Sequence, residues 1–306
     1  IDLFEKAGRT EDVANVKSDL AVVYHDQGKY PEAISLFNEV YQMDLLSGDK
    51  RKQSSSLNNI GRMYIDWKKY ETGLEYYFRS IQLLDTIADK EVLGIRYNNI
   101  GMVYQLMAKH RDAITWLEKA RKIDEKERNS IKLGIRYFNI GNSYLALRDF
   151  QNARINLEKS LAIFANSNMY SRISKVYVSL GSLYQEEGNF TEAEKHFLQS
   201  LEMAEKGANI PEISVCYSKL YQFYKQTGNL KKALDYYELH TAAKDSIYNL
   251  QASKQIEELE AQYQNEKKEA EITRLEKENE LKIKELTFRK RERNWAIAGA
   301  FLFFVA

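Results

Sequence analysis

Asn59, Asn99 and Asn139 stand at intervals of forty residues. A side-chain amide both donates and accepts hydrogen bonds, so such a row could grip the backbone of an extended peptide whatever its sequence. The same row could instead bond to neighbouring helices, and residue type alone leaves both uses open. One helical turn further on, Arg62, Met102, Asn142, Ser182 and Gln222 occupy another repeated position, where unlike side chains would give selectivity. Catalytic chemistry has far less to stand on. His25, His110, His196 and His240 are scattered, with no second ligand at i+3 or i+4, so no metal site is expected. No phosphate-binding glycine loop or nucleophile motif is present. The abundant Glu and Lys fall at helical spacing, which reads as solvated faces rather than acid–base pairs. No enzyme and no cofactor are therefore expected within these residues. Cys216 is the single cysteine, which excludes a disulfide framework and points to a buried structural thiol. Arg96 and Arg136 also recur, but an arginine on a helix often covers apolar surface with its stem.

The elements that must position these residues are legible in the same beat. Tyr24, Tyr64, Tyr104, Tyr144, Tyr184 and Tyr224 recur every forty residues without slippage. Nine residues behind run Ala33, Gly73, Ala113, Ala153, Ala193 and Ala233. Three residues ahead of the tyrosine stand Gly61, Gly101, Gly141 and Gly181. A period of this size means a solenoid. Within a copy, apolar residues recur three and four apart (Tyr97, Ile100, Tyr104, then Ile114, Leu117, Ile123), so each unit reads as two amphipathic helices. The break between them falls at Gln27-Gly28-Lys29, Glu187-Gly188-Asn189 and Thr227-Gly228-Asn229, where glycine can take the left-handed conformation that ends a helix. Pro31 fits the first turn of its second helix. The glycines and alanines are expected where the two helices cross, with the tyrosine filling the wedge beside them.

The order Asn-Asn-Ile-Gly-x-x-Tyr, then a small residue nine later and Phe37, Tyr77, Leu117, Leu157, Phe197 or Tyr237 four beyond, resembles the tetratricopeptide repeat. The resemblance covers roughly residues 1–245 and implies an all-α solenoid of 40-residue helix-turn-helix units. Residues 1–10 are expected to be the end of a preceding repeat and 11–245 six repeats. It also implies that the first helices line a concave groove for a peptide or protein, with Asn59, Asn99, Asn139, Arg62, Met102 and Asn142 in that groove. Ala21 and Tyr221 replace the glycine in the first and last copies, which suits end repeats adapted as caps.

The repeat stops after the sixth copy. Residues 254–293 carry eleven acidic and eleven basic side chains with no proline or glycine, the composition of a long helix. Ile256, Leu259, Tyr263, Ile272, Leu275, Ile283 and Leu286 form a thin apolar stripe whose register shifts near Ala270. The expectation is a coiled-coil linker at 246–293, pairing two copies in parallel, with Asn279 as a polar core position. From Trp295 to Ala306 every residue is uncharged. Twelve residues are fewer than the roughly twenty that span a bilayer, so 294–306 is expected to be the start of a transmembrane helix. Lys244-Asp245-Ser246-Ile247, Gln255-Ile256, Tyr263, Glu266-Lys267-Lys268-Glu269 and Ile272 resemble the linker of Bacteroidetes-type membrane signalling proteins. There, tetratricopeptide repeats precede a coiled coil, one membrane helix, and a histidine kinase or helix-turn-helix output domain. The resemblance implies repeats in the periplasm of a bacterial inner membrane. The basic cluster Arg289–Arg293 argues instead for a cytoplasmic side.

At 306 residues and a net charge of +1, the chain has no general attraction for nucleic acid. It starts with Ile1 rather than methionine. Ile1–Arg9 aligns with Leu201–Asn209, which places the start inside the second helix of an earlier repeat, with any signal peptide upstream.

Overall fold

The computed structural model describes residues 2–86, 88–126 and 130–305, with side chains apart from positions 2, 5, 258, 262, 292 and 294–305. Helices account for nearly all of it. A short α1 (Asp2–Lys6) is followed by six antiparallel pairs. These are α2 (Thr10–Asp26) with α3 (Tyr30–Ser47), α4 (Lys50–Asp66) with α5 (Tyr70–Gln82), and α6 (Lys90–Leu106) with α7 (His110–Lys126). Then come α8 (Ser130–Ala146) with α9 (Phe150–Asn166), α10 (Tyr170–Glu186) with α11 (Phe190–Lys206), and α12 (Ile210–Gln226) with the start of α13 (Leu230–Val305). The chain divides into two units, Ile1–His240 and Thr241–Ala306.

In the first unit the forty-residue beat is two beats of twenty. Left-handed residues stand at Gly8, Gly28, Gly48, Lys68, Ala108, Arg148, Asn168, Gly188, Ala208 and Gly228, so both kinds of turn share one geometry. The carbonyl of the recurring tyrosine closes the turn inside a repeat. It accepts from the amide five residues on: Lys29 to Tyr24 at 2.8 Å, Lys69 to Tyr64 at 2.8 Å, Lys109 to Tyr104 at 2.8 Å. This is the reverse bond that satisfies orphan carbonyls at a helix end. Glycine adopts the left-handed conformation freely, whereas Lys68, Ala108 and Arg148 adopt it against the clash of their Cβ. Asn189 and Asn209 cap the helices that follow by accepting from Glu192 and Glu212 amides, and Pro31 lies in the first turn of α3.

The small residues lie where the helices cross and the tyrosines pack beside them, as expected, but the crossing itself is filled by a different residue. A Cβ on Gly101 would sit 2.7 Å from Leu117 Cγ, and one on Gly181 would sit 2.6 Å from Phe197 Cδ1. The residue four after the small one therefore occupies the crossing: Tyr77, Leu117, Leu157 and Phe197 are all buried. Tyr24, Tyr64, Tyr104, Tyr144 and Tyr184 are half-buried, with Tyr64 stacked on Tyr76 at 5.4 Å and Tyr184 on His196 at 5.2 Å, whereas Tyr224 in the last copy is buried. In three pairs a second crossing, towards the other end, is made by hydroxyls: Ser80 Oγ donates to Ser54 O at 2.8 Å, Ser160 Oγ to Gly134 O at 2.9 Å, and Ser174 Oγ to Ser200 O at 2.9 Å. Cys216 is buried beside Ser174 and Ser200, and burial pushes its thiol pKa up.

The unit 241–306 consists of α13 beyond His240. Opposite charges one turn apart pair along it, as at Arg289–Glu285 and Lys284–Glu280. Ile256, Leu259, Tyr263, Ile272, Leu275, Ile283 and Leu286 are each more than half exposed. The long charged helix is thus present, and its apolar stripe is uncovered. Among the described residues no helix is long and apolar enough to cross a membrane, and the segment expected to enter one, 294–306, lies outside the described side chains.

Candidate peptide-binding groove

First helices of successive repeats touch one another, α6 with α8, α8 with α10 and α10 with α12, while second helices do not approach as closely. Stacking that brings one edge closer than the other curves the array, so the first helices line the inside of the curve. That inner face is where the chain's polar pattern is concentrated.

Many of the bonds between neighbouring first helices run from one residue to another forty-one further on, although Gln105 reaches Asn139 O and Ser143 Oγ at shorter offsets. Lys52 Nζ reaches Glu11 at 2.9 Å, Lys132 Nζ reaches Glu91 at 2.5 Å, and Ser171 Oγ donates to Glu212 at 2.5 Å. The asparagines join this ladder. Asn99 Nδ2 donates to Asn58 Oδ1 at 3.2 Å, and Asn139 Nδ2 donates to Asn98 Oδ1 at 3.0 Å. Two of the three candidate asparagines thus spend an amide donor inside the solenoid, which is the structural use that the sequence left open. Asn139 is buried, Asn99 half-buried. Asn59 differs: its counterpart one repeat back is Ser18, whose hydroxyl turns to Ala14 O, and among the described residues no side-chain bond holds the Asn59 amide. Arg62 and Met102 are exposed and Asn142 is half-buried, each one helical turn beyond an asparagine position. Met102 also accepts from Asn98 Nδ2 at 3.2 Å. Ile95 and Met102 on α6 and Ile131 on α8 leave an apolar stretch between the polar positions.

At the first end of the groove, between α2, α3 and α4, opens a cleft of about 580 Å³. Asn15, Ser18, Asp44, Ser55, Ser56 and Asn59 line it, with Val40, Met43 and Val92 as apolar wall. Asp44 is 7% exposed and accepts from Ser56 Oγ at 2.5 Å. Burial raises its pKa, against the hydrogen bond from Ser56 and the charge of Lys52. Two repeats on, at the matching positions, Asp124 and Arg136 form an ion pair at 2.8 Å with side chains 2% and 4% exposed. The recurring arginines are accordingly buried rather than spread on the surface: Arg96, at the middle position, donates Nε to Ser80 Oγ at 3.1 Å. Sequence reasoning missed Asp44 and Asp124. A signal existed, since Asp44 and Asp124 stand two periods apart and each lies twelve residues before Ser56 and Arg136.

The tetratricopeptide repeat profile matches residues 12–86, 92–166 and 172–246. The chain belongs to the tetratricopeptide repeat family. Its fold is therefore one typical of protein-binding repeat proteins, which are generally non-catalytic scaffolds. Among curated proteins none is significantly similar in sequence. Solved structures share the tetratricopeptide architecture at low identity. Aspartyl phosphate phosphatase F from Bacillus subtilis superposes with a TM-score of 0.64 at 14% identity, covering 79% of this chain and 73% of its own. BtubC from P. vanneervenii gives 0.61 at 18% identity, covering 67% and 85%. A signal transduction ATPase with numerous domains from Pyrococcus horikoshii, which carries a tetratricopeptide repeat sensor, gives 0.64 at 16% identity, covering 79% of this chain and 38% of its own. At these identities the likeness is one of fold.

Proposed function

We propose that the tetratricopeptide repeats are the partner-binding region of a membrane-anchored signal-transduction protein and take a peptide or protein segment along the first-helix face. The observation that carries the binding reading is the open end of that face, where Asn59 has an unspent amide beside a cleft walled by both polar and apolar groups. A peptide backbone needs donors and acceptors that the protein has not already paired, and its side chains need concavity. Arg62 and Met102 would set selectivity further along, with Asn99, Asn139 and Asn142 shaping the floor. In this reading, residues 246–293 pair with a second copy through the Ile256-to-Leu286 stripe, and 294–306 begins a membrane helix leading to an output domain. The repeats stand in the periplasm of a bacterial inner membrane, as the linker resemblance implies. Signalling further requires that the ligand bind two helix arrangements unequally, because a ligand with equal affinity for both shifts nothing.

The binding reading is tested by panning a displayed library of unstructured peptides against the chain in mild detergent. Enriched peptides should lose affinity on Arg62→Glu and Asn59→Ala while the melting temperature holds. A library that yields no enrichment, or peptides indifferent to both changes, defeats it. The dimer is read by a Leu275→Cys variant, which should cross-link to its copy in membranes. Reporter fusions before residue 240 that are active only in the cytoplasm would overturn the periplasmic placement.

A further inference from the structure

We infer that the cleft between the first and second repeats is a receptor for an arginine side chain, in which Asp44 takes a guanidinium supplied by the ligand. The argument rests on three versions of one position. At the junction of the third and fourth repeats the chain supplies both halves, and Arg136 Nε donates to Asp124 Oδ2 at 2.8 Å in full burial. At the junction of the second and third, the acid's place is taken by Leu84, and Arg96 turns to the hydroxyl of Ser80. At the junction of the first and second, the acid is kept as Asp44 and the arginine's place is taken by Ser56. Serine is shorter than arginine by most of a side chain, and the space it leaves is where the cleft lies, with Asp44 and Ser56 both in its lining.

Arg51 and Lys52 line the same cleft, but their bonds go elsewhere. Lys52 Nζ is bonded to Glu11 at 2.9 Å, and Arg51 Nε is bonded to Asp89 at 2.5 Å. Among the described residues Asp44 Oδ2 accepts only from the Ser56 hydroxyl; Lys52 supports its charge from a distance without bonding to it, so the buried carboxylate has no directly bonded cation. A planar guanidinium brings several fixed donors to a carboxylate and is more weakly hydrated than an ammonium, so it enters such a slot at lower cost. Its methylene stem would lie on Val40, Met43 and Val92. Asn59, at the mouth, stands where the backbone carrying that arginine would pass. That the arginine belongs to a peptide rests on the groove reading above. The slot itself does not.

The probe is Nα-acetyl-arginine amide, titrated calorimetrically into the full chain in mild detergent, with the citrulline and lysine analogues beside it. The arginine probe should bind, and the uncharged citrulline analogue should bind at least about tenfold more weakly, the factor that one charge-assisted hydrogen bond commands. Asp44→Asn should lose the arginine probe to the same degree. Ser56→Arg should restore the built-in pair, abolish probe binding and raise the melting temperature. Equal binding of arginine and citrulline, or a Ser56→Arg chain that still takes the probe, overturns the inference. Equal binding of the lysine analogue overturns the choice of guanidinium over ammonium. Probe binding without any enriched peptide would defeat the groove reading and leave the slot standing.

Discussion

The junction between repeats one and two and the junction between repeats three and four share a backbone plan and diverge in what they do with a buried acid. At the latter, Asp124 meets Arg136 and the junction is closed; at the former, Asp44 meets only a hydroxyl and a cleft remains. The asparagine ladder divides the same way. Asn139 is tied to Asn98, whereas Asn59 faces a serine occupied elsewhere. One plan therefore yields both a sealed structural joint and an open one, and the open joint is where a ligand finds unpaired groups.

The largest test of this contrast is Arg136→Met, which leaves Asp124 buried without its cation and should cost about 3–5 kcal/mol in a denaturation melt. Ser56→Ala, at the open joint, removes the one hydroxyl donor to Asp44 and should cost about 1.5–3 kcal/mol, less than the loss of a buried cation. Equal losses would erase the distinction between the joints. Acid provides the next test. Burial raises the pKa of Asp124 even with Arg136 present, so its folded pKa lies above its unfolded one. Such a group adds stability below the unfolded value, about 3.9, and loses it as pH rises through the folded value. Without Arg136 the folded pKa rises further, so the penalty of Arg136→Met should be widest at neutral pH and shrink towards pH about 4. A gap that widens on acidification would contradict an unpaired buried acid. Next, Asn139→Ala should cost roughly 1 kcal/mol because it orphans Asn98 Oδ1, while Asn59→Ala should fall within about 0.5 kcal/mol of the parent. If both asparagines matter equally to the melt, the ladder is structural throughout. The smallest effect concerns turns common to all repeats: Ala108→Gly should stabilise by about 1 kcal/mol by relieving left-handed strain, and Gly28→Ala should cost a similar amount.

Much of the fold was legible because a solenoid repeats its core. Gly61, Gly101, Gly141 and Gly181 announced a close helix crossing, and Gly28, Gly188 and Gly228 announced the turns. The tyrosines were legible only in part: they pack beside each crossing, but recurrence does not say that Tyr77, Leu117, Leu157 and Phe197 rather than the tyrosines fill its centre, nor that Tyr224 is the buried one of the row. The site was less legible. Asn59, Asn99 and Asn139 look equivalent at a period of forty, but the bonds run across forty-one residues, so the partner of Asn99 is Asn58 rather than Asn59. An offset of one residue between stacked helices is set by how they tilt and slide, which no single helix encodes in its own pattern.

By itself, the sequence determined the helices, their pairing in units of forty residues, the small residues at each crossing and the long charged helix that follows them. These depend on contacts within one or two turns or between adjacent helices, where residue type and spacing are enough. The tertiary structure decided which residue fills each crossing, which asparagines are already spent, and that Asp44 is left beside a cleft while Asp124 is sealed. Those outcomes turn on which side chains meet across separate repeats, and only the stacking of one helix pair on the next brings them within hydrogen-bonding distance.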